Sequence, residues 1–507
     1  MFENKPAPFI RGMSPEERGV VLGSVRKSLG GEFGHYDEND VLQKDATGNV
    51  GVTSGLGLMP IPLDAPAKLL YPILTPLRNM IPRETKGGPS TTFRSITGIN
   101  TTNIWPSVPE AVAGGAAGRN SAIAFNEVDK TVSFKTYGME NFLTPEAEFG
   151  GNYEGQNFNN REFSTLANLQ SMMRAEELLM LHGNISALGN VAGIAKYATQ
   201  PADTIGSLSV STNYFIHVTA VNGRGYAGAS HGQVAAVDAT GETTGTEVTI
   251  ATTASGAGSK ALAVTWTPKD KATAYNVFIS ASTGIANGKY HSTVTTPYVL
   301  IEAVPGSGNR PNGADTTANA LDFDGLYSLI STANGSYVKN YVNQPFTADG
   351  RGGVEEISAA LKYMWVNYKV SPDFLLMHAN ERDAAGTTIA AATNPAARLN
   401  AQFGDGKLTG GISFSGVINP YFGDKIIPFL IHPDATPGVV AGVCQSLGEY
   451  YPQSGIAANF KMRMCWDYRR EDFAKVRRGE EFGIYARGAM VNYAPFASFK
   501  ITGLRSS

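Results

Sequence analysis

Cysteine is almost missing from this chain. Cys444 and Cys465 are the only two in 507 residues, and they form no close CxxC pair. That excludes a disulfide framework and a thiolate zinc site, and it suits a reducing compartment in which both thiols stay free. Long hydrophobic runs are missing as well: none approaches the roughly 20 residues that span a bilayer. Met1-Phe-Glu-Asn-Lys-Pro has neither the basic start nor the apolar centre of a secretion signal. The expectation is a chain made and kept in the cytosol, without a membrane partner. Nor does charge of one sign prevail, since 41 basic residues face 44 acidic ones for a formal net charge of -3. No overall basic field condenses nucleic acid, so any contact with DNA is local and weak.

Catalytic signatures are equally scarce. Gly284-Ile-Ala-Asn-Gly-Lys-Tyr290 fails the phosphate-loop spacing and lacks the hydroxyl that meets magnesium. Gly411-Ile-Ser-Phe-Ser-Gly416 has the wrong spacing for a nucleophile elbow and reads as a turn. The seven histidines, His35, His182, His217, His231, His291, His378 and His432, are scattered singly, with no ligand pair among them. Asp322-Phe-Asp-Gly lacks the later acidic positions of a calcium loop and reads as a helix cap. Asn334-Gly-Ser is a glycosylation sequon only by its letters. No catalytic residue, cofactor or metal site is expected.

What the chain does have is an extended arm. Thr91 to Thr97 and Lys130 to Tyr137 alternate β-branched or aromatic residues with polar ones, as half-buried strands do. Between them, Ile104 to Gly118 is rich in Pro, Gly and Ala, which neither support a sheet ladder nor order cheaply. An element with no core of its own must lie against another molecule. A capping Asn159 or Asn160 then opens a helix ending near Gly183, with Phe163, Leu166, Leu169, Met173 and Met180 as its buried stripe and Ser164, Asn168 and Ser171 on the open side. It is a rod of about six turns.

Length suffices for two or three domains. Residues 1–55 read as an N-terminal arm with a short helix from Ser14 to Leu29, followed by a Pro-punctuated stretch from Met59 to Pro82. From about Pro201 to Pro311 the composition turns to Thr, Ala, Ser and Gly, with period-two runs at Asn213 to Val221, Ala261 to Thr267 and Ala274 to Ser280. This stretch resembles fibronectin type III and related immunoglobulin-like sandwiches, with Trp266 as the core aromatic and Asn222-Gly-Arg-Gly as a hairpin tip. Its strand order departs from that family's, so a rearranged sandwich is expected. Beyond it, Leu326, Leu329, Ile330, Ala333, Tyr337 and Tyr341 fit one helix, and Val354, Ile357, Leu361, Trp365 and Tyr368 fit another. Ser371 to His378 and Ile426 to His432 read as buried strands, and 461–504 is strand-rich, with Phe482, Ile484 and Ala486 on one side. The sandwich is an insertion into an α+β host. Asp467 to Glu481 mixes both signs of charge, either as a solvated face or as ion pairs between identical subunits.

This order of elements resembles the major capsid protein of tailed bacteriophages, the Hong Kong 97-type fold. Leu74-Thr-Pro-Leu-Arg-Asn-Met-Ile-Pro82 and Arg478-Gly-Glu-Glu-Phe-Gly-Ile-Tyr-Ala-Arg-Gly-Ala-Met-Val491 are its most family-like passages. The resemblance implies an α+β capsid fold: an N-terminal arm (1–55), a peripheral domain with the spine helix (56–82 and 138–200), an extended loop overlapping a neighbour (83–137), an inserted all-β sandwich (201–311), an axial domain (312–440) and C-terminal strands (441–507). It implies hexamers and pentamers enclosing DNA, a separate scaffolding protein and portal with no cleaved segment, and a decoration protein or glycan at the insert. The site would be a virion capsid assembled in a bacterial host cytoplasm. Assembly residues implied are Trp105, Arg119, Lys130, Lys135, Arg469, Arg470, Arg477, Arg478, Glu480 and Glu481. Some relatives join an arm Lys to a neighbour's Asn, but no motif here identifies partners for Lys86, Lys130 or Lys135, and that chemistry is not carried over. An encapsulin-like compartment and a surface or tail-fibre adhesin are the other readings.

Overall fold

In a computed structural model the chain forms two units, one of residues 1–68 with 152–158 and one of 69–151 with 159–507. The structure describes residues 34–36, 42–44, 75–100, 124–146, 160–228, 240–349, 353–391, 402–404, 407–409, 415–452, 455–474 and 479–505. In the smaller unit these form a hairpin of Gly34–Tyr36 with Leu42–Lys44. The expected Ser14 to Leu29 helix and the loop tip from Ile104 to Gly118 lie outside the described residues.

Short, wholly apolar runs are strands covered on both faces. Phe374–Met377 is one and Val440–Val443 another, with every residue buried. They are central in a six-stranded sheet ordered Tyr337–Gln344, Ser498–Leu504, Val440–Val443, Phe374–Met377, Lys425–Ile431, Gly416–Asn419. One face carries the helices Glu355–Tyr368 and Ala379–Ala391, whose Ile357, Leu361, Met364 and Ala385 share a core with Leu375, Met377, Ile427 and Phe499. On the other face Phe374, Leu376 and Ala441 join Met180, Leu181, Phe323 and Met462.

The expected helix from Leu326 to Tyr341 does not form. Leu326–Leu329 is a single turn and Thr332–Asn334 a 3-10 turn; Gly335, at φ 92°, ends the run. Tyr337–Gln344 then becomes an edge strand parallel to Ser498–Leu504. Ladder pairing across the chain outweighs local helical periodicity. Nor does Asp322-Phe-Asp-Gly cap that turn: Asp324 Oδ1 instead accepts the Ile185 amide at 3.1 Å.

Arg83–Thr85, Phe460–Asp472, Glu480–Asn492 and Lys135–Leu143 form a four-stranded sheet, and Ser90–Asn100 pairs with Ala124–Ser133 as a separate hairpin. The expected strand through Lys130 to Tyr137 therefore breaks at Phe134. That side chain is buried and its amide donates to Pro89 O at 3.0 Å, so the chain swings from one sheet to the other there.

The long helix is Asn160–His182, but its buried stripe differs from the expected one. Asn168, Met172, Glu176, Glu177, Met180, Leu181 and His182 are buried, whereas Leu166 is 48% exposed. The offset follows from Glu176 and Glu177, which apolar periodicity cannot count.

Two further sheets face each other across Ile216, Val218, Leu262, Val264, Trp266, Tyr275 and Val277. One holds Tyr298–Ile301, Leu262–Thr267 and Ala192–Lys196; the other holds Lys289–Val294, Ala274–Ser280, Asn213–Val221 and Thr246–Ala251. Trp266 meets Tyr275 edge to face at 5.3 Å. Strand Ala192–Lys196 belongs to this unit although it precedes the expected boundary at 201. Asn222-Gly-Arg-Gly is not a hairpin tip: Asn222 Oδ1 accepts the Gly225 amide at 2.9 Å and opens the helix Gly223–Gly228. The chain leaves and returns at one place. Gly325 N donates to Gly183 O at 2.8 Å, and Leu188 N to Thr317 Oγ1 at 2.8 Å. A Cβ on Gly183 would fall 2.2 Å from Phe323 O, so only glycine allows this crossing.

Candidate assembly site

The hairpin Ser90–Asn100 with Ala124–Ser133 has one held face and one open face. Thr91, Phe93 and Ser95 are buried, and Phe93 meets the Tyr493 ring at 5.4 Å. Ile96 N donates to Tyr493 O at 2.8 Å. On the other face Thr92 bonds Thr131 at 3.0 Å, and Arg94 pairs with Asp129 at 2.9 Å and Glu127 at 3.2 Å, all three exposed to solvent. Farther out, Asn126, Glu127, Val128 and Asp129 are all exposed.

Its root is held by the long helix. Glu176, fully buried, accepts from Arg83 Nη1 at 2.8 Å, Arg78 Nε at 2.9 Å, Tyr137 Oη at 2.5 Å and Tyr468 Oη. Arg83 also reaches Asp467 at 2.6 Å, and both guanidinium groups lie 5.1 Å from the Tyr468 ring centre. Burial alone would raise the Glu176 carboxyl, but Arg83, with Tyr137 and Tyr468, holds it below its ordinary value. Burial and the adjoining carboxylate push Tyr137 and Tyr468 far upward, so both remain neutral donors.

Glu177 serves a different element. The helix Pro76–Met80 has no side-chain cap of its own, and its free amides at Leu77 and Arg78 donate to Glu177 at 2.8 and 2.7 Å. His432 Nε2 is 2.9 Å from the same carboxylate, while its Nδ1 accepts the Asp434 amide at 3.0 Å, which places the ring proton on Nε2. His182 bonds Asp434 O at 2.7 Å and is kept neutral by burial, its pKa lowered to about 4. Two adjacent glutamates in an apolar-striped helix were the signal available in the sequence.

Of the expected assembly residues, Trp105, Arg119, Arg477 and Arg478 lie outside the described residues. Lys130 Nζ donates to Asn334 Oδ1 of its own chain at 2.8 Å, and burial lowers its pKa. Lys135 is half-buried opposite Gly488. Arg469 pairs with Glu471 at 2.5 Å and Arg470 with Asp472 at 2.8 Å, the latter 4.5 Å above the Phe482 ring. Glu480 pairs with Arg161 at 3.3 Å, and Glu481 is half-buried opposite Phe142. Arg469, Arg470 and Glu480 are thus paired within one chain, while Lys130 stands apart at the hairpin root. Among the described residues no group of three His, Cys, Asp or Glu is placed to hold a metal ion. No described helix is long and apolar enough to cross a membrane.

No protein-family model and no curated protein sequence matches the chain. Among solved structures it is similar to the capsid of the native GTA particle, at 9% identity over 92% of this chain and 100% of that one, with a TM-score of 0.39. It is also similar to the capsid of Myoviridae phage XM1, at 10% identity over 85% of this chain and 92% of that one, with a TM-score of 0.37. A third is the holo-SrpI encapsulin complex from Synechococcus elongatus PCC 7942, at 7% identity over 87% and 94%, with a TM-score of 0.36.

Proposed function

We propose that this chain is a shell-forming structural protein, the major capsid protein of a tailed bacteriophage. Its copies assemble as hexamers and pentamers into an icosahedral virion capsid around double-stranded DNA, in the cytoplasm of a bacterial host. The observation that carries the reading is the hairpin Ser90–Asn100 with Ala124–Ser133, whose root is locked by a buried ion network and in which Asn126, Glu127, Val128 and Asp129 are exposed among the described residues. Hydrophobic and hydrogen-bonding capacity offered on a rigid base is a device for overlapping a neighbour, and overlap repeated over many copies stabilises a shell at roughly 25 cal/mol per Å² buried.

In this reading the hairpin is the extended loop, Asn160–His182 the spine helix and the six-stranded sheet the centre of the axial domain. The two-sheet unit is an insertion of immunoglobulin-like character that projects outward, toward a decoration protein or a glycan. A separate scaffolding protein and a portal complete assembly, and DNA is enclosed without sequence-specific contact. The role is structural, not catalytic. Negative-stain electron microscopy of the purified chain, with and without a co-expressed scaffold, tests it. Shells, tubes or rings are expected; a uniform monomer under both conditions overturns the proposal.

A further inference from the structure

The six-stranded sheet has two outer strands, and beside each lies an apolar patch. At one end, Gly416–Asn419 pairs with Lys425–Ile431 and sets Ile418 directly opposite Ile426. Val417 and Ile427 point into the helix-covered core, so Ile418 and Ile426 point to the other face, where they are 57% and 69% exposed with Pro428 exposed beside them. The core on that face reaches Leu376 and Leu430 and includes neither Ile418 nor Ile426.

At the other end, Tyr337 of the outer strand Tyr337–Gln344 stacks on Tyr363 at 4.3 Å. Tyr363 stands on the outer side of helix Glu355–Tyr368, in one stripe with exposed Ala359 and Val366, the last 55% exposed. Side chains of this size in register, unlike scattered single apolar residues, mark an interaction surface.

The two patches occupy opposite edges and opposite faces of one sheet. They cannot meet within one molecule. Exposed Asp424 rims the Ile418–Ile426 patch, while exposed Lys362 and Lys369 rim the Val366 end of the other patch, with exposed Glu355 at its Ala359 end. A single foreign partner would need only one such surface. Two unlike apolar patches with opposite rims are what a head-to-tail contact between identical copies requires, and such a contact closes into a ring when its rotation closes.

We infer that the Ile418–Ile426 face of one copy docks on the Tyr363–Val366 face of the next, with Asp424 facing Lys362 and Lys369 across the contact. The inference rests on the shell-forming reading and names the surfaces by which its rings close.

The test uses the full-length chain produced with its scaffold, carrying Ile426→Lys or Val366→Lys, so that the two altered faces repel one another. Folding is checked by circular dichroism and thermal melting, and assembly by sedimentation velocity and electron microscopy. Each variant alone is expected to be folded and monomeric where the unaltered chain forms rings or shells. An equal mixture is expected to give a dimer and nothing larger, because one intact pair of patches remains between the two variants. Rings from either variant alone, or a mixture that stays monomeric, overturn the inference. If the unaltered chain still forms shells in that case, the capsid reading stands; if the unaltered chain never assembles, both fall. Charge reversal probes the same contact without touching an apolar side chain. Asp424→Lys is expected to raise the concentration needed for assembly about tenfold, and adding Lys362→Asp with Lys369→Asp to restore it. Failure of that restoration also overturns the inference.

Discussion

Arg83 Nη1 lies 2.8 Å from the Glu176 carboxylate, and this bond joins the strand that leads into the hairpin to the C-terminal third of the long helix. The carboxylate is fully buried and Arg83 mostly so. Removing one partner of such a pair leaves a charge without compensation. Glu176→Ala is therefore expected to destabilise the folded chain by about 3–5 kcal/mol, read from the midpoint of chemical denaturation. A loss below the error of that measurement would mean that the pair does not hold the root.

The same carboxylate sets an acid limit. Its folded pKa lies below the ordinary value of 4.5, so the stability it contributes is in place above pH 4.5 and is lost as pH falls through the folded value. Thermal melting between pH 5 and about pH 3 is expected to show a steep decline that Glu176→Gln makes shallower. Parallel curves for the two chains would sink the assignment.

Glu381 acts with the opposite sign. It is fully buried, one oxygen accepts the Gly438 amide at 2.6 Å and the other has no hydrogen-bond partner, and burial raises its pKa from 4.5 to about 7. Between those values the folded chain holds a proton that the unfolded chain has released, so stability falls as pH rises from 4.5 to about 7. Glu381→Gln is expected to remove that decline and to be the more stable chain at pH 8. Identical pH dependence in both chains would count against it.

Lys130 and Asn334 tie the second hairpin strand to the turn before the six-stranded sheet, at 2.8 Å. Lys130→Met is expected to cost about 1 kcal/mol or less, because the ammonium is only half-buried. It should also speed amide hydrogen exchange in residues 124–133. Unchanged exchange there would show that the hairpin is held by Phe93 and Ser95 alone.

The stretch that holds the two-sheet unit begins after Gly183 and ends before Gly325, and these two glycines are hydrogen-bonded to each other. Replacing residues 187–316 with a short Gly/Ser linker is expected to leave a folded chain that still assembles, since the ends to be joined are already adjacent. Complete loss of folded protein would show that the unit is part of the host core.

Where pattern and packing agree, the elements were legible. Helix Glu355–Tyr368, strand Phe374–Met377 and the core position of Trp266 all follow from period and composition, because each buries an apolar face whose spacing is local. The long helix was legible in extent but not in orientation, and the path through Phe134 was not legible at all. Of the candidate site, Lys130 and the C-terminal charges were named, but Glu176 and Glu177, which hold the root together, were not.

The sequence by itself determined that this chain has paired strands around residues 90–133, a long helix and a β-rich stretch of distinct composition, since hydrophobic period and turn residues are properties of neighbours in the chain. Only the tertiary structure decided that Tyr337–Gln344 is a strand, that the helix turns two glutamates inward, and that unlike apolar patches end on opposite edges of one sheet. A buried carboxylate is tolerable only when its donors are supplied from distant segments, here Arg78, Arg83, Tyr137 and Tyr468. No local pattern carries that information, because desolvation and its compensation are settled by whichever groups the folded chain brings within bonding distance.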